Sequence, residues 1–509
     1  MIRQFRVYTR FSGVFRRPTQ PRGQAQPYEE VAIHSPLLHM PVTAFDAIII
    51  GSGQAGNPLA AALSDAGRRV ALIEENRLGG SCINYGCSPT KTLIATAERL
   101  HQLRTAATVA APAPPDTAHL RVDLAAAVAR KDGVIAKSRD GIRINLTKKH
   151  NNITLIEGHA AFTAPHSLRV DLPNSRTRDL TAPLIFINTG TRAAVPDLVG
   201  LADAGYLTTT QLLDLKELPE HLLILGGGYI GLEFSQMFRR FGSRVTIVEA
   251  GRQLLEREDD DVCQGLQAAL GLEGIEFVLG ARTQSVSRSA AGNITLTVQT
   301  AEGERRLRGT HLLVATGRRP NSNRLGLGFA GIKTDDRGYI LVNNNLQTNV
   351  RGVYALGDIH PGPQFTHIAY DDYRIVRDAL LHGRKRSARE RPLPYVVFTD
   401  PPLARIGLSE GQASEQKIAY RVATMPVSAI GRAQHTSETR GFWKVLVGKD
   451  DRLLGATLFG PEAGEVMAVI EVAMAGRLKY QQLQDMIFAH PTWAEGLNNV
   501  FRNLQRVGK

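Results

Sequence analysis

The chain has 509 residues, 43% of them hydrophobic, with 48 glycines, three cysteines and a formal net charge of +13. A chain of this length holds about two to four domains, three cysteines exclude a disulfide-stapled secreted protein, and no apolar run reaches the roughly 18 residues of a membrane-spanning helix. The basic excess is dispersed, without an aromatic-interleaved stripe, so it points to neither a nucleic-acid nor a membrane partner.

Residues 1–43 stand apart. Arg3, Arg6, Arg10, Arg16, Arg17 and Arg22 all precede the first acid, Glu29. No long apolar core is present, so this is not a secretory signal. We read the segment as a disordered extension or an upstream start, with an organelle transit peptide as the alternative, and leave it out of the fold. The protein is expected in the cytoplasm.

Phe45 to Ile50 is a buried strand by composition. It runs into Gly51, Gly53 and Gly56, a small-residue helix (Asn57 to Ala66) and a strand (Arg69 to Ile73) ending at Glu74. This is a dinucleotide fingerprint. Gly51 makes the tight turn, Gly53 admits a pyrophosphate, Gly56 lets helix pack on strand, and Glu74 meets a ribose hydroxyl.

Cys82 and Cys87 follow within Gly79 to Lys91, ahead of a helical run from Lys91 to Ala107. A staple between them would close a tiny loop and remove little unfolded-chain entropy. Ser88 is a natural N-cap and Pro89 a natural first helical residue, so Cys87 is expected at the positive end of a helix, where a thiolate is favoured. That reading is a redox-active pair; the alternatives are two neighbouring buried thiols or a zinc site. The zinc site lacks a second cysteine pair or clustered histidines.

Pro112 to Pro115 reads as a loop, Leu124 to Leu146 as helix, and Ile153 to Ile156, Ser167 to Asp171 and Leu184 to Asn188 as strands, the last entering Thr189, Gly190 and Thr191. The first pattern then repeats. A strand (Leu222 to Leu225) leads into Gly226, Gly228 and Gly231, a helix (Leu232 to Phe241) and a strand (Arg244 to Val248) ending at Glu249. First glycine to acid is 23 residues in both copies, 51 to 74 and 226 to 249. Two fingerprints imply two dinucleotide sites. A carboxylate at Glu249 favours NADH over NADPH. Cys263 falls in a separate helix as an inert core thiol. From about Arg384 the character changes. Strands at Val396 to Thr399, Trp443 to Val447 and Leu454 to Phe459 alternate with helices at Gly464 to Gly476, Gln481 to Phe488 and Ala494 to Leu504.

The segment Gly-Gly-Ser-Cys-x4-Cys-x-Pro-Thr-Lys resembles the active-site segment of the FAD-dependent pyridine nucleotide–disulfide oxidoreductases. That family includes glutathione reductase, dihydrolipoyl dehydrogenase and mercuric reductase. Pro89 to Thr92 and Phe365 to Tyr370 look most like its mercuric-reductase-like branch, and the likeness runs from Phe45 to Val507. It implies an α/β fold: two Rossmann-like domains, for FAD (44–190 and 319–384) and NAD(P) (191–318), with an α+β dimerisation domain (385–509). It implies FAD as cofactor and NADH or NADPH as cosubstrate. It implies a Cys82–Cys87 disulfide, with Cys87 facing the flavin and Cys82 attacking substrate. It implies that Lys91 pairs with Glu233 where hydride passes, and that His490, oriented by Glu495 in Ala489 to Glu495, serves the other subunit of a homodimer. Ser81, Lys91, Ala160, Thr189, Gly190, Asp358, Thr366 and Ala369 are implied around the flavin, and Gly317 closes the second nucleotide domain. No resident metal is expected. Asn188 replaces a common alanine, and no cysteine follows Cys263, whereas mercuric reductases carry a C-terminal pair. The resemblance implies a small disulfide, thiol or Hg(II)-type metal ion as acceptor, and the missing pair argues against efficient mercury reduction. Dihydrolipoyl dehydrogenase, a quinone reductase that bypasses the cysteines, and a flavin-binding redox sensor are the alternatives.

Overall fold

The computed structural model describes residues 42–105 and 120–506. The leader up to residue 41 and the Pro112 to Pro115 loop lie outside the described residues.

The first fingerprint strand, Ala47–Ile50, is central in a five-stranded parallel sheet ordered Val353–Ala355, Leu184–Ile187, Ala47–Ile50, Val70–Glu74, Ile153–Glu157. Its four residues are all buried, as a sheet covered on both faces requires. Ala47 and Ile49 pack with Leu59, Leu63, Tyr373 and Val376 from the helices Gly56–Asp65 and Thr366–Leu381. Ile48 and Ile50 face the other way, onto Phe162, Leu168 and Val170 of a small sheet built from Thr43–Ala44, Thr177–Thr181, Ser167–Asp171 and His159–Ala164. The period-2 alternation of one short strand thus sets both layers.

The second fingerprint repeats this plan. Glu276–Val278, Arg244–Val248, His221–Leu225 and His311–Val314 form a four-stranded parallel sheet. Leu222 and Ile224 pack with the helices Tyr229–Phe241 and Asp260–Leu272. Leu223 and Leu225 face an antiparallel meander, Arg282–Arg288, Ile294–Thr300 and Gly303–Gly309, that the sequence reading did not find. Cys263 is buried in the Asp260–Leu272 helix, and burial pushes its thiol up to about 12, in keeping with an inert core thiol.

The C-terminal part is a six-stranded antiparallel sheet, Tyr395–Val397, Leu403–Gly407, Leu453–Phe459, Phe442–Gly448, Tyr420–Pro426 and Gln505–Arg506, backed by Ala463–Ala475. Buried ion pairs lash it to the second nucleotide domain. Lys444, 2% exposed, lies 3.3 Å from Asp259, 2.7 Å from Asp261 and 2.8 Å from Glu410. Arg405 meets Glu258 at 3.0 Å. Together these ions anchor the start of the Asp260–Leu272 helix.

Three expected element boundaries change. The long helix opens at Cys87, not after a Ser88 cap, and runs to Thr105. The helix expected over Gln481 to Phe488 is only Tyr480–Gln484, because the Asn498 amide takes the carbonyls of Leu483, Gln484 and Met486 at 2.8–3.0 Å and turns the chain toward His490. The last helix is short, Gly496–Val500 with a 3-10 turn Phe501–Asn503. Among the described residues no helix is long and apolar enough to cross a membrane.

Candidate active site

Both glycine turns are closed in the same way. Gly51 and Gly226 have φ of +102° and +113°. A methyl on Gly56 would sit 2.3 Å from the Gly51 carbonyl oxygen, and one on Gly231 2.1 Å from that of Gly226; only glycine fits there. Each terminal acid receives one backbone donor from its glycine turn and one from the residue two positions after itself. Glu74 accepts from Ser52 N at 2.8 Å and Asn76 N at 2.9 Å, and Glu249 from Gly227 N at 2.5 Å and Gly251 N at 2.7 Å. Burial raises the Glu74 carboxyl above its usual range, against those two N–H donors.

Asn188 uses the space beside the first turn. Its Nδ2 donates to Gly51 O at 3.2 Å, and a methyl on Gly53 would stand 2.7 Å from the same nitrogen. The alanine expected at this position is replaced by a side chain that braces the loop.

One cavity of about 1350 Å³ runs from Gly51, Glu74 and Ala160 past Ser81, Thr189 and Gly190 to Cys87, Lys91, Asp358, Thr366 and Ala369. It exceeds the usual range for a single small ligand and fits a long dinucleotide with its reactive end at the cysteines. Gly226, Gly228, Gly231, Glu249 and Gly317 do not line it. Gly226, Gly228 and Gly231 belong to the second turn, whose helix sends Tyr229 and Glu233 into the cavity, while Glu249 and Gly317 follow the strands Arg244–Val248 and His311–Val314.

The cysteines sit on two adjoining helices, Cys82 in Gly80–Asn84 and Cys87 at the start of Cys87–Thr105. Both are free thiols here. Cys87 is drawn down to about 6, first by the hydrogen bond from Cys82, then by Thr366 and the Lys91 charge, with burial opposing. Cys82 is pushed up because its proton is committed to Cys87. The Thr366 hydroxyl lies 3.2 Å from Cys87 Sγ, a contact across 279 residues that the sequence reading did not assign. The Cys87 thiolate is therefore present above pH about 6 and lost below it. In two-electron-reduced protein the long-wavelength thiolate absorbance is expected to titrate with that midpoint. Thr366→Val, which removes a donor, is expected to move the midpoint upward.

Lys91 Nζ reaches both carboxylate oxygens of Glu233, at 2.9 and 2.7 Å. Glu233 is buried and also accepts from Phe398 N at 3.0 Å, while the Phe398 ring lies 4.5 Å under the ammonium. Phe398 was not among the expected residues; its place in a strand-end stretch of the last domain gave no local signal. Asp358 accepts from the Thr191 hydroxyl at 3.2 Å, and burial raises its carboxyl. The turn before it is pinned by Asp372, which accepts from Gly357 N at 2.7 Å and contacts His360 and Arg391.

His490 and Glu495 pair on the dimerisation domain, outside the cavity. His490 Nδ1 lies 2.9 Å from Glu495 Oε2, and the His490 side chain is 71% exposed. A carboxylate only accepts, so Nδ1 carries the hydrogen and Nε2 is left open. The ring of His435 stands edge-on at 6.4 Å. Among the described residues no cluster of three or more His, Cys, Asp or Glu is arranged to hold a metal ion.

Residues 45–372 match the family described as pyridine nucleotide-disulphide oxidoreductase, and 393–501 match the dimerisation domain of that family. A probable pyridine nucleotide-disulfide oxidoreductase RclA of Escherichia coli (strain K12) is 41% identical over 462 residues, 90% of this chain and 98% of the relative. A mercuric reductase of Streptomyces lividans is 34% identical over 89% of this chain and 95% of its own length. A solved structure described as the Cu(II) complex of HOCl-induced flavoprotein disulfide reductase RclA from Escherichia coli superposes with a TM-score of 0.81 at 40% identity, covering 90% of this chain and 99% of that one.

Proposed function

Because the chain belongs to the pyridine nucleotide-disulphide oxidoreductase family, we propose that it takes hydride from NADH and delivers two electrons through Cys82 and Cys87 to a small disulfide or a thiophilic metal ion. The observation that carries this reading is the Cys87 thiol held low between Cys82, Thr366 and Lys91 at the end of the cavity. The cavity residues from Glu74 to Asp358 suit FAD, which when bound supplies the two-electron relay between nicotinamide and the cysteine pair.

Lys91 keeps a positive charge at the cavity wall, and Glu233 and Phe398 fix where it points. Cys82 holds the proton of the reduced pair and is the sulfur that attacks an acceptor. With a disulfide acceptor, one Cys82–Cys87 bond forms as one acceptor S–S bond breaks, and the two acceptor sulfurs leave as thiols. His490, oriented by Glu495, takes the Cys82 proton as that sulfur attacks, since the thiolate is the nucleophile, and returns it to the first departing sulfur, while the second takes its proton from water. Its exposure suits service to the cysteines of a second copy in a homodimer, since the residues stand on the dimerisation domain. With a metal acceptor the same two electrons reduce one Hg(II)-type ion or two Cu(II)-type ions. The Cu(II) complex of one solved relative and the mercuric reductase likeness favour this arm. Glu249, fixed by two backbone donors, presents a carboxylate where an adenosine 2′-phosphate would go, which supports NADH.

The test is anaerobic titration with NADH, and with NADPH in parallel. A long-wavelength thiolate-to-flavin band is expected at two electrons, reached with less NADH than NADPH. Direct bleaching with no such band would overturn the cysteine route.

A further inference from the structure

The His490–Glu495 pair has the form of a metal-ligating imidazole as well as of an acid–base dyad. Metal-bound histidines commonly give their second ring N–H to a carboxylate, which fixes the tautomer and leaves the other nitrogen as the ligand. Glu495 does this to Nδ1 at 2.9 Å, and the side chain is 71% exposed with Nε2 open. Beside it is a second imidazole with no assigned role. His435 lies in the short helix Gly431–Thr436, is exposed, and sets its ring edge-on to His490 at 6.4 Å and 86°. The helix abuts the dyad: a methyl on Gly431 would come within 3.4 Å of Glu495 Oε1 and 3.7 Å of His490 Cε1.

A nitrogen about 2 Å from a metal places its ring centre about 3 Å away, so two imidazoles on one ion stand within about 6 Å of each other. Both side chains are exposed, so rotation about their side-chain bonds can bring the rings to that spacing. Imidazole suits Cu(II) and similar borderline ions, whereas thiolate pairs suit Hg(II). This chain has no cysteine beyond Cys263.

We propose that His435 and His490 form a docking site for a borderline divalent acceptor of the Cu(II) type, which is held there by two nitrogens before transfer to the cysteines. The inference rests on the metal-acceptor arm of the function given above. The site has two side-chain ligands rather than three or four, so it captures and releases an ion instead of storing it.

The experiment uses Cu(II) sulfate alone on the full-length, flavin-loaded Cys82→Ser/Cys87→Ser protein, read by electron paramagnetic resonance. One ion per chain with hyperfine coupling to two imidazole nitrogens is expected. Adding His435→Asn should leave one nitrogen and weaken binding at least about tenfold. His490→Gln should do the same. With both cysteines restored, His435→Asn should raise KM for Cu(II) with little change in kcat. A spectrum and affinity that ignore His435, or a signal that survives loss of both imidazoles, overturns the proposal. Because the copper titration needs neither thiol nor nicotinamide, its failure is separate from loss of the thiolate band in the NADH titration.

Discussion

Cys82→Ser is expected to lower turnover of any disulfide or metal-ion acceptor by at least about a thousandfold, the scale of removing a nucleophile. NADH should still reduce the flavin. The serine keeps a hydroxyl where Cys82 donates its proton, so Cys87 stays a thiolate and its long-wavelength band should appear even before NADH is added. Cys87→Ser should lose the same turnover and the band as well. Stopped-flow spectra with an acceptor panel separate these outcomes. Retained acceptor turnover in Cys82→Ser would mean that electrons leave the flavin directly, as with quinones or dioxygen.

Replacing Lys444 by Met should destabilise the protein by about 3 kcal/mol, the low end for breaking a buried ion pair, because Asp261 keeps half its exposure. Among the described residues, Lys444 is the cation paired with Asp259, Asp261 and Glu410. Burial opposes its charge, but the hydrogen bonds to Asp261 and Glu410 and the charge of Asp259 prevail and hold it up at about 12. Its contribution is therefore complete below the ordinary lysine range and disappears as pH rises through about 12. For Asp259 burial likewise loses, here to the Gly411 N–H and Lys444, and its carboxyl is depressed. That contribution is present above the usual carboxylate range and is lost as pH falls through the lowered value. Urea midpoints should thus be flat near neutrality in both proteins, with the wild type losing its advantage in acid. An unchanged midpoint in Lys444→Met would show that the cluster is solvated in solution.

What could be read in advance was whatever is local in sequence. Two glycine turns with acids at equal spacing, and two cysteines beside a helix, carry their chemistry within short stretches, and the structure brings Glu74, Cys82, Cys87 and Lys91 to one cavity. The Lys91–Glu233 and His490–Glu495 pairs came through the family resemblance, and both meet within 3 Å. Contacts made only by folding were invisible: Thr366 on Cys87, Phe398 beneath Lys91, and His435 beside His490. The Arg282–Gly309 meander was missed although Ile294, Leu296 and Val298 alternate with polar residues in its middle strand; its flanking strands are mostly polar, with Val286 and Leu307 as their inward apolar residues. The helix after Lys479 ended early because of an asparagine 14 residues further on, Asn498 against Gln484.

Asn188 changes which substitutions this chain can accept over time. The three atoms nearest a methyl at Gly53 all belong to the Asn188 side chain, at 2.7 to 3.5 Å. Gly53 is therefore required twice, once by any pyrophosphate passing the turn and once by the amide behind it. A lineage carrying alanine at position 188 is under only the first requirement. The order of mutation then matters: an alanine at position 53 must displace the Asn188 amide from the Gly51 carbonyl unless the asparagine has already gone. Gly56 has no such history dependence, because the Gly51 carbonyl bars it whatever stands at 188. Two glycines of one motif, three residues apart, are thus held by constraints of different permanence, and ancestral reconstruction of this branch should find position 188 changing before position 53.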